Sequence, residues 1–224
     1  MRKMNEPKCA ECASKPCSQG MTDESKLPAF CPIKNFKDLI QEVKAKYKTQ
    51  EFQHFYKLSA LIEKEAYDEK AAREEGRTVP VRPRIREIAE FAKKLGAKKV
   101  GIAFCSGLAD EAARASSLLK KRGLEVCSVV CCCGAVDKTE LDIPPENKIR
   151  DPEKFEAACN PILQAELLNR AETSFNIIIG LCVGHDMLFT MNSQAPVTTL
   201  IVKDRFTGHN PIISLYTKYH KDIV

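Results

Sequence analysis

Apolar residues recur along this chain with two periods, and the change from one to the other falls near residue 97. After Asn35, a residue type that favours the helix N-cap, Phe36, Leu39, Ile40, Val43 and Tyr47 repeat at helical spacing. A second helix is predicted near 51–75, burying Phe52, Phe55, Leu58, Leu61 and Ile62 and ending in a charged run before Gly76. The proline-broken link Thr78-Val79-Pro80-Val81-Arg82-Pro83 leads to a third helix that stops at Leu95-Gly96. Beyond it, residues 100–104, 124–130, 175–181 and 197–202 read as short strands with continuous apolar runs. Residues 107–122, 161–171 and 187–191 read as the helices between them, the first closed by Gly123. Strands that are apolar on both faces belong to a parallel sheet covered by helices. The expected fold is therefore α/β, with a parallel, Rossmann-like sheet of about four strands and flanking helices.

Residues 1–34 follow neither period and carry Cys9, Cys12, Cys17 and Cys31 among Pro7, Pro16, Pro28 and Pro32. Such a stretch buries almost no apolar area and needs a staple to be ordered. Three regions are thus expected: a cysteine-rich metal-binding segment over 1–34, a helical region over 35–96 packing on the core, and an α/β domain over 97–224.

Composition narrows the function more than the fold. Of 224 residues 44% are hydrophobic and 29% charged, which is ample for a core, and the formal charge of +5 is mild. Lys and Arg alternate with acidic residues, as in Glu63-Lys64-Glu65, the pattern of a solvated helix face and not of a nucleic-acid footprint. No segment reaches transmembrane length, and MRKMNEPKCAEC lacks the apolar core of a secretory signal. A cytoplasmic protein without membrane or nucleic-acid partners is expected. In that reducing compartment eleven cysteines, an odd number, argue for metal or redox chemistry over a disulfide framework.

Four cysteines gain a position from the strand assignments. Cys105 follows the first strand, Cys131 ends the second and Cys182 ends the third. Cys159 precedes Asn160-Pro161, where the proline suits the first position of a helix. The carboxyl ends of parallel strands share one edge, so these four thiols are expected to converge there. Helix N-termini facing that edge stabilise thiolates. Cys127 is mid-strand and is assigned to packing, while Cys132 and Cys133 stay undecided. His185 and Asp186, just past Cys182, are the candidate catalytic pair, as proton donor or as partners of a metal-bound sulfur. Lys203-Asp204-Arg205 reads equally as a substrate-facing wall or as a turn held by an Asp–Arg pair. Ser106-Gly107-Leu108 opens a helix and is a candidate anion binder, but it lacks the spacing and lysine of a phosphate loop, so nucleotide binding is not expected.

At the N-terminus, the Cys9–Cys12 CxxC pair with Cys17 and Cys31 suits a tetrathiolate centre of zinc or iron–sulfur type, and matches neither common ferredoxin spacing.

These residues resemble a known family, the small prokaryotic proteins grouped as domain of unknown function 1847 and usually labelled predicted metal-binding proteins. The resemblance rests on Cys9-Ala10-Glu11-Cys12 with Cys17, Gly101-Ile102-Ala103-Phe104-Cys105, Cys131, Cys159-Asn160-Pro161 and the string Gly180-Leu181-Cys182-Val183-Gly184-His185-Asp186. Ala195 to Thr199, Lys203-Asp204-Arg205 and Gly208-His209-Asn210-Pro211 extend it over nearly the whole chain. It implies metal binding by cysteines and no particular reaction. The triplet Cys131-Cys132-Cys133 departs from the family pattern, in which the residue after Cys131 is not usually cysteine.

The leading expectation is an iron–sulfur cluster, [4Fe–4S] in type, on Cys105, Cys131, Cys159 and Cys182, with a second metal site on Cys9, Cys12, Cys17 and Cys31. Ligands scattered over separate strand ends favour iron–sulfur over zinc, which is commonly held by paired CxxC knuckles. Four ligating cysteines point to electron transfer or sensing; three leave an open iron for lyase, desulfidase or sulfur-transfer chemistry. The alternative is a zinc or other thiophilic-metal protein without catalysis, zinc fitting the N-terminal site best. A dithiol oxidoreductase using Cys9 and Cys12 ranks last, because no strand precedes the pair. A redox, sulfur or metal-donor partner is implied without being identified.

Overall fold

The α/β period is realised as an all-parallel sheet in the computed structural model, which describes residues 6–217. The chain divides into two compact units, Met1–Leu61 and Ile62–Val224.

In the first unit, 3₁₀ turns at Cys9–Glu11, Pro16–Gln19 and Glu24–Lys26 precede α1 (Pro32–Asn35), α2 (Lys37–Lys46) and the start of α3 (Gln50–Glu65). Asn35 is not the cap of the long helix. Pro32 starts a helical turn earlier, with Cys31 before it, and the Asn35 amide donates to the carbonyls of Ala29 (2.7 Å) and Cys31 (2.9 Å). Leu39, Val43, Tyr47, Phe55 and Leu61 stay exposed, so the burial expected of Phe55 and Leu61 is not found. Small units hide a smaller share of their surface.

The unit boundary falls within α3, whose last turn belongs to the second unit. The helix expected over 51–75 is two helices, because the chain turns at Asp68. Its carboxylate accepts the Ala71 N–H (3.0 Å) and so caps α4 (Glu69–Glu74), while its own N–H donates to Val79 O (2.8 Å). Glu65 ties this corner to residues further along the chain, accepting from Arg82 (2.8 Å) and Lys94 (2.9 Å). Next comes α5 (Arg84–Leu95), whose Ile88, Ala89 and Ala92 are buried in the core and whose end at Gly96 is left-handed.

The sheet is built from β1 (Lys99–Phe104), β2 (Glu125–Val130), β3 (Asn176–Ile179) and β4 (Val197–Ile201), in the order β2-β1-β3-β4. Three helices connect them, α6 (Ala109–Lys121), α7 (Pro161–Arg170) and α8 (His185–Asn192), and α9 (Ile212–Tyr216) follows β4. Right-handed crossovers put α6 on one face and α7 with α8 on the other. The chain therefore reverses its winding between β1 and β3, and the crevice at such a switch point lies beyond the strand carboxyl ends.

Residues 131–160 join β2 to α7 and are ordered mainly by carboxylates. Asp137 accepts from the N–H groups of Thr139 (2.9 Å) and Glu156 (2.9 Å) and pairs with Lys148 (3.1 Å), whose side chain is 5% exposed. Glu156 pairs with Lys138 and accepts from the N–H groups of Ile149 and Arg150. The Thr139 N–H, then the Glu156 N–H, hold the Asp137 carboxyl well below the usual range, and Lys138 does the same for Glu156. A carboxyl lowered on folding stabilises fully above its unfolded value of about 4, and that support fades as pH falls through the lower folded value. We expect the amides of Thr139, Ile149 and Arg150 to lose hydrogen-exchange protection as the pH drops below about 4. In Asp137→Asn the Thr139 amide should be poorly protected at neutral pH as well. Protection that is independent of pH, with Asp137→Asn like the parent, would refute this.

Candidate metal centre

Strand register brings the first two cysteines side by side. Phe104 of β1 pairs with Val130 of β2, so Cys105 and Cys131 stand at the next rung, and Cys131 N–H still donates to Phe104 O (2.8 Å). Cys105 N–H likewise donates to Ile179 O of β3 (3.1 Å), and Cys182 follows three residues after that strand end. Cys159 is drawn in by the backbone: Asn160 N–H donates to Cys131 O (2.7 Å), and the Asn160 side chain caps α7 through Leu163 N–H (3.1 Å). Gly180 closes the crevice floor. Its φ of +65° is left-handed, and a Cβ there would lie 2.8 Å from the Leu108 side chain, so only glycine lets β3 end against the start of α6.

The thiols interact with one another. Cys131 is the hub: its sulfur accepts Ser106 N–H (3.3 Å) and lies 3.9 Å from Ser106 Oγ, and the neighbouring thiols of Cys159 and Cys105 act on its titration. The Cys159 thiol foremost, and then these other donors, lower the Cys131 pKa against the opposing effect of burial. Cys159 is raised in turn, because its proton is shared with Cys131 and because burial and the charges of Cys131, Cys182 and Cys105 oppose a further thiolate. Lys203 Nζ donates to Cys105 Sγ (3.3 Å) and an Arg205 guanidinium nitrogen to Cys182 Sγ (3.0 Å). Among the described residues, no three or more His, Cys, Asp and Glu side chains close into a set that would hold a single metal ion as placed.

The other candidates fall into clear places. Cys127 is part-buried in β2 and packs against the core. Cys133 also packs there, near Asn160 O (3.9 Å), and its pKa is raised by burial first and then by the charges of Cys132 and Cys131. Cys132 is half-buried. His185 opens α8 with its N–H on Cys182 O (3.0 Å), and its Nδ1 is buried without a partner among the described residues. Asp186 also donates its N–H to Cys182 O (3.0 Å), while its carboxylate accepts from Met187 N–H (2.8 Å). Gln164, wholly buried on α7, donates to Val129 O (2.7 Å) and keeps an Oε1 with no partner among the described residues. The backbone donor at Ser106 falls on the helix start that the sequence offers as an anion binder, whereas Gln164-Ala165 enters the sequence reading only through the family resemblance, with no role attached.

In the N-terminal unit Cys9, Cys12, Cys17 and Cys31 all line one cavity of about 320 Å³, together with Lys15, Phe30 and Pro32. Cys31 is buried at the start of α1, Cys12 is half-buried, and Cys9 and Cys17 are exposed.

Fold and site together define a cysteine-rich α/β protein with thiols gathered at the switch point of a parallel sheet. No helix among the described residues is long and apolar enough to cross a membrane. A family model described as "Protein of unknown function (DUF1847)" matches residues 31–200, and the chain belongs to that family. A relative, "Uncharacterized protein MJ0455" of Methanocaldococcus jannaschii, is 41% identical over 213 residues, covering 95% of each chain.

Proposed function

We propose that this protein binds metal through cysteine thiolates, with an iron–sulfur cluster of the [4Fe–4S] type on Cys105, Cys131, Cys159 and Cys182. One observation carries the reading: four thiols from distant parts of the chain meet at one sheet edge, where Ser106 N–H, Lys203 and Arg205 donate to their sulfurs. Packing alone does not account for thiols served by cationic donors, whereas a thiolate–metal group needs such compensation. The orphaned His185 Nδ1 supports the same reading, since a buried polar atom without a partner is costly and a bound group can supply one.

When bound, such a cluster supplies one-electron transfer, or Lewis-acid chemistry if one iron is open. The protein's share is to fix the ligands on rigid strand ends and to balance their charge. His185 and Asp186 remain the candidate proton-handling pair, with His185 the better placed because the Asp186 carboxylate is already engaged. The second centre is assigned to Cys9, Cys12, Cys17 and Cys31, where zinc is the competing ion because a CxxC pair is a common zinc element. The partner implied is a donor of electrons, sulfur or metal, and the expected compartment is the cytoplasm.

Anaerobic purification tests this directly. The expected product is brown, with broad absorption near ~400 nm that dithionite bleaches, and contains iron and acid-labile sulfide. Colourless protein with stoichiometric zinc and no iron would sink the cluster assignment.

A further inference from the structure

Lys203 and Arg205 follow β4 on either side of Asp204, and the intervening carboxylate is turned away from both. Asp204 accepts from Phe206 N–H (3.0 Å) and Thr207 N–H (3.1 Å), while its own N–H donates to His209 Nδ1 (3.1 Å) and its carbonyl accepts His209 N–H (2.7 Å). The Asp–Arg turn considered from the sequence is therefore not formed. Among the described residues neither Lys203 nor Arg205 is paired with a carboxylate; each donates to a cysteine sulfur instead. The chain turns at 205–208, with the Asp204 carboxylate bonded inside that turn while Lys203 and Arg205 reach out to the two sulfurs. Gly107 lies beside this pair: an added Cβ would be in ordinary contact with Lys203 Nζ (3.4 Å) and Cys105 Sγ (3.9 Å).

The two cations serve the cysteines after β1 and β3, the strands that flank the switch point, whereas Cys131 takes uncharged donors. Lys203 is half-buried and Arg205 exposed, so neither cation is forced onto a sulfur by burial; each is directed there by its hydrogen bond. Two thiols, one of them hydrogen-bonded at 3.3 Å and the other at 3.0 Å, are what they meet.

We propose that Lys203 and Arg205 are positioning residues that set the reduction potential of the strand-edge centre, so that this centre cycles by one electron. This rests on the cluster assignment above. Accepting one electron adds one negative charge to the thiolate-bound group, and a cation hydrogen-bonded to a ligand sulfur favours that more negative state. Both side chains thus raise the potential, and the electron comes from a low-potential one-electron reductant, for which dithionite serves in the test. No bond forms or breaks, and the ligand set is unchanged between the two states.

The experiment is a potentiometric dithionite titration of the anaerobic full-length protein, comparing it with Lys203→Met, Arg205→Gln and the charge-keeping Lys203→Arg and Arg205→Lys. Each neutral substitution is expected to shift the reduction equilibrium about tenfold toward the oxidised form, a lowering of about 59 mV for one electron. The charge-keeping variants stay near the parent, and the wave of the N-terminal centre does not move. If a neutral variant emerges without its strand-edge cluster, its charge-keeping partner decides: a loaded centre at the parent potential supports the assignment, and an empty one overturns it. Unchanged potentials in both neutral variants overturn this inference while leaving the cluster assignment intact. Parent protein without iron–sulfur absorption removes the cluster assignment and this inference with it.

Discussion

Cys131→Ser is expected to leave the protein folded and to strip the strand-edge centre of its metal, so that iron per chain falls by about half if both centres hold clusters of one type. Cys131 is 4% exposed, and serine is close to it in size, so the packing cost is small. The chemical cost is large, because Cys131 is the sulfur that receives Ser106 N–H, and a hydroxyl is a poor ligand to a soft metal. Iron and sulfide analysis beside circular dichroism reads both effects at once. Cys127→Ser is the control, since Cys127 packs within β2 and should keep the full iron content. Cys131→Ser protein with unchanged iron would remove Cys131 from the ligand set. Loss of iron in the Cys127 control would show instead that the assay reports on folding.

Gly101→Ala should lower stability by about 3 kcal/mol, combining overpacking with loss of buried hydrogen bonds. Gly101 lies in β1 opposite Asn176 of β3, and a Cβ there would stand 2.0 Å from Asn176 Oδ1 and 2.9 Å from Leu168 Cδ1. Asn176 is wholly buried and cannot move cheaply. Its Oδ1 accepts from Thr173 Oγ1 (2.7 Å) and its Nδ2 donates to Ser193 Oγ (2.8 Å), which itself donates to Ala195 O (2.7 Å). This network fastens the turn before β3 to the end of α8 and the approach to β4. For a unit of this size the melting temperature should drop by roughly 6–12 °C. A fall of less than about 2 °C would mean that Asn176 finds another rotamer with its bonds intact.

Much of the fold was legible because its signals are local. Continuous apolar runs marked the four strands to within a few residues, Gly96 and Gly123 marked helix ends, and Asn160-Pro161 marked the start of α7. Local signals also misled. Asn35 looked like a cap, but Pro32 three residues earlier nucleates a turn that consumes it. The apolar spacing over 51–75 ran straight through Asp68, whose capping of α4 depends on Val79 returning to meet its N–H. Phe55 and Leu61 carried the pattern of a buried face, yet burial needs something to lie against them.

The candidate site divides along the same line. That Cys105 and Cys131 directly follow strands, and that Cys159 precedes a helix, is legible in the chain itself, because strand ends and helix starts are written within a few neighbouring residues; Cys182, expected at the end of the third strand, instead comes three residues after β3. Parallel pairing then requires those ends to share an edge. What only the tertiary structure decided is which groups meet there. The rung of Cys105 beside Cys131, Ser106 N–H on the Cys131 sulfur, and the place of Cys127 within β2 all depend on register. The role of Lys203-Asp204-Arg205 depends on one more choice. Its carboxylate bonds to its own turn and leaves both cations to the thiols, and no spacing in the sequence distinguishes that outcome from an Asp–Arg pair, because the competing partners are brought within reach only when β4 is laid beside β3.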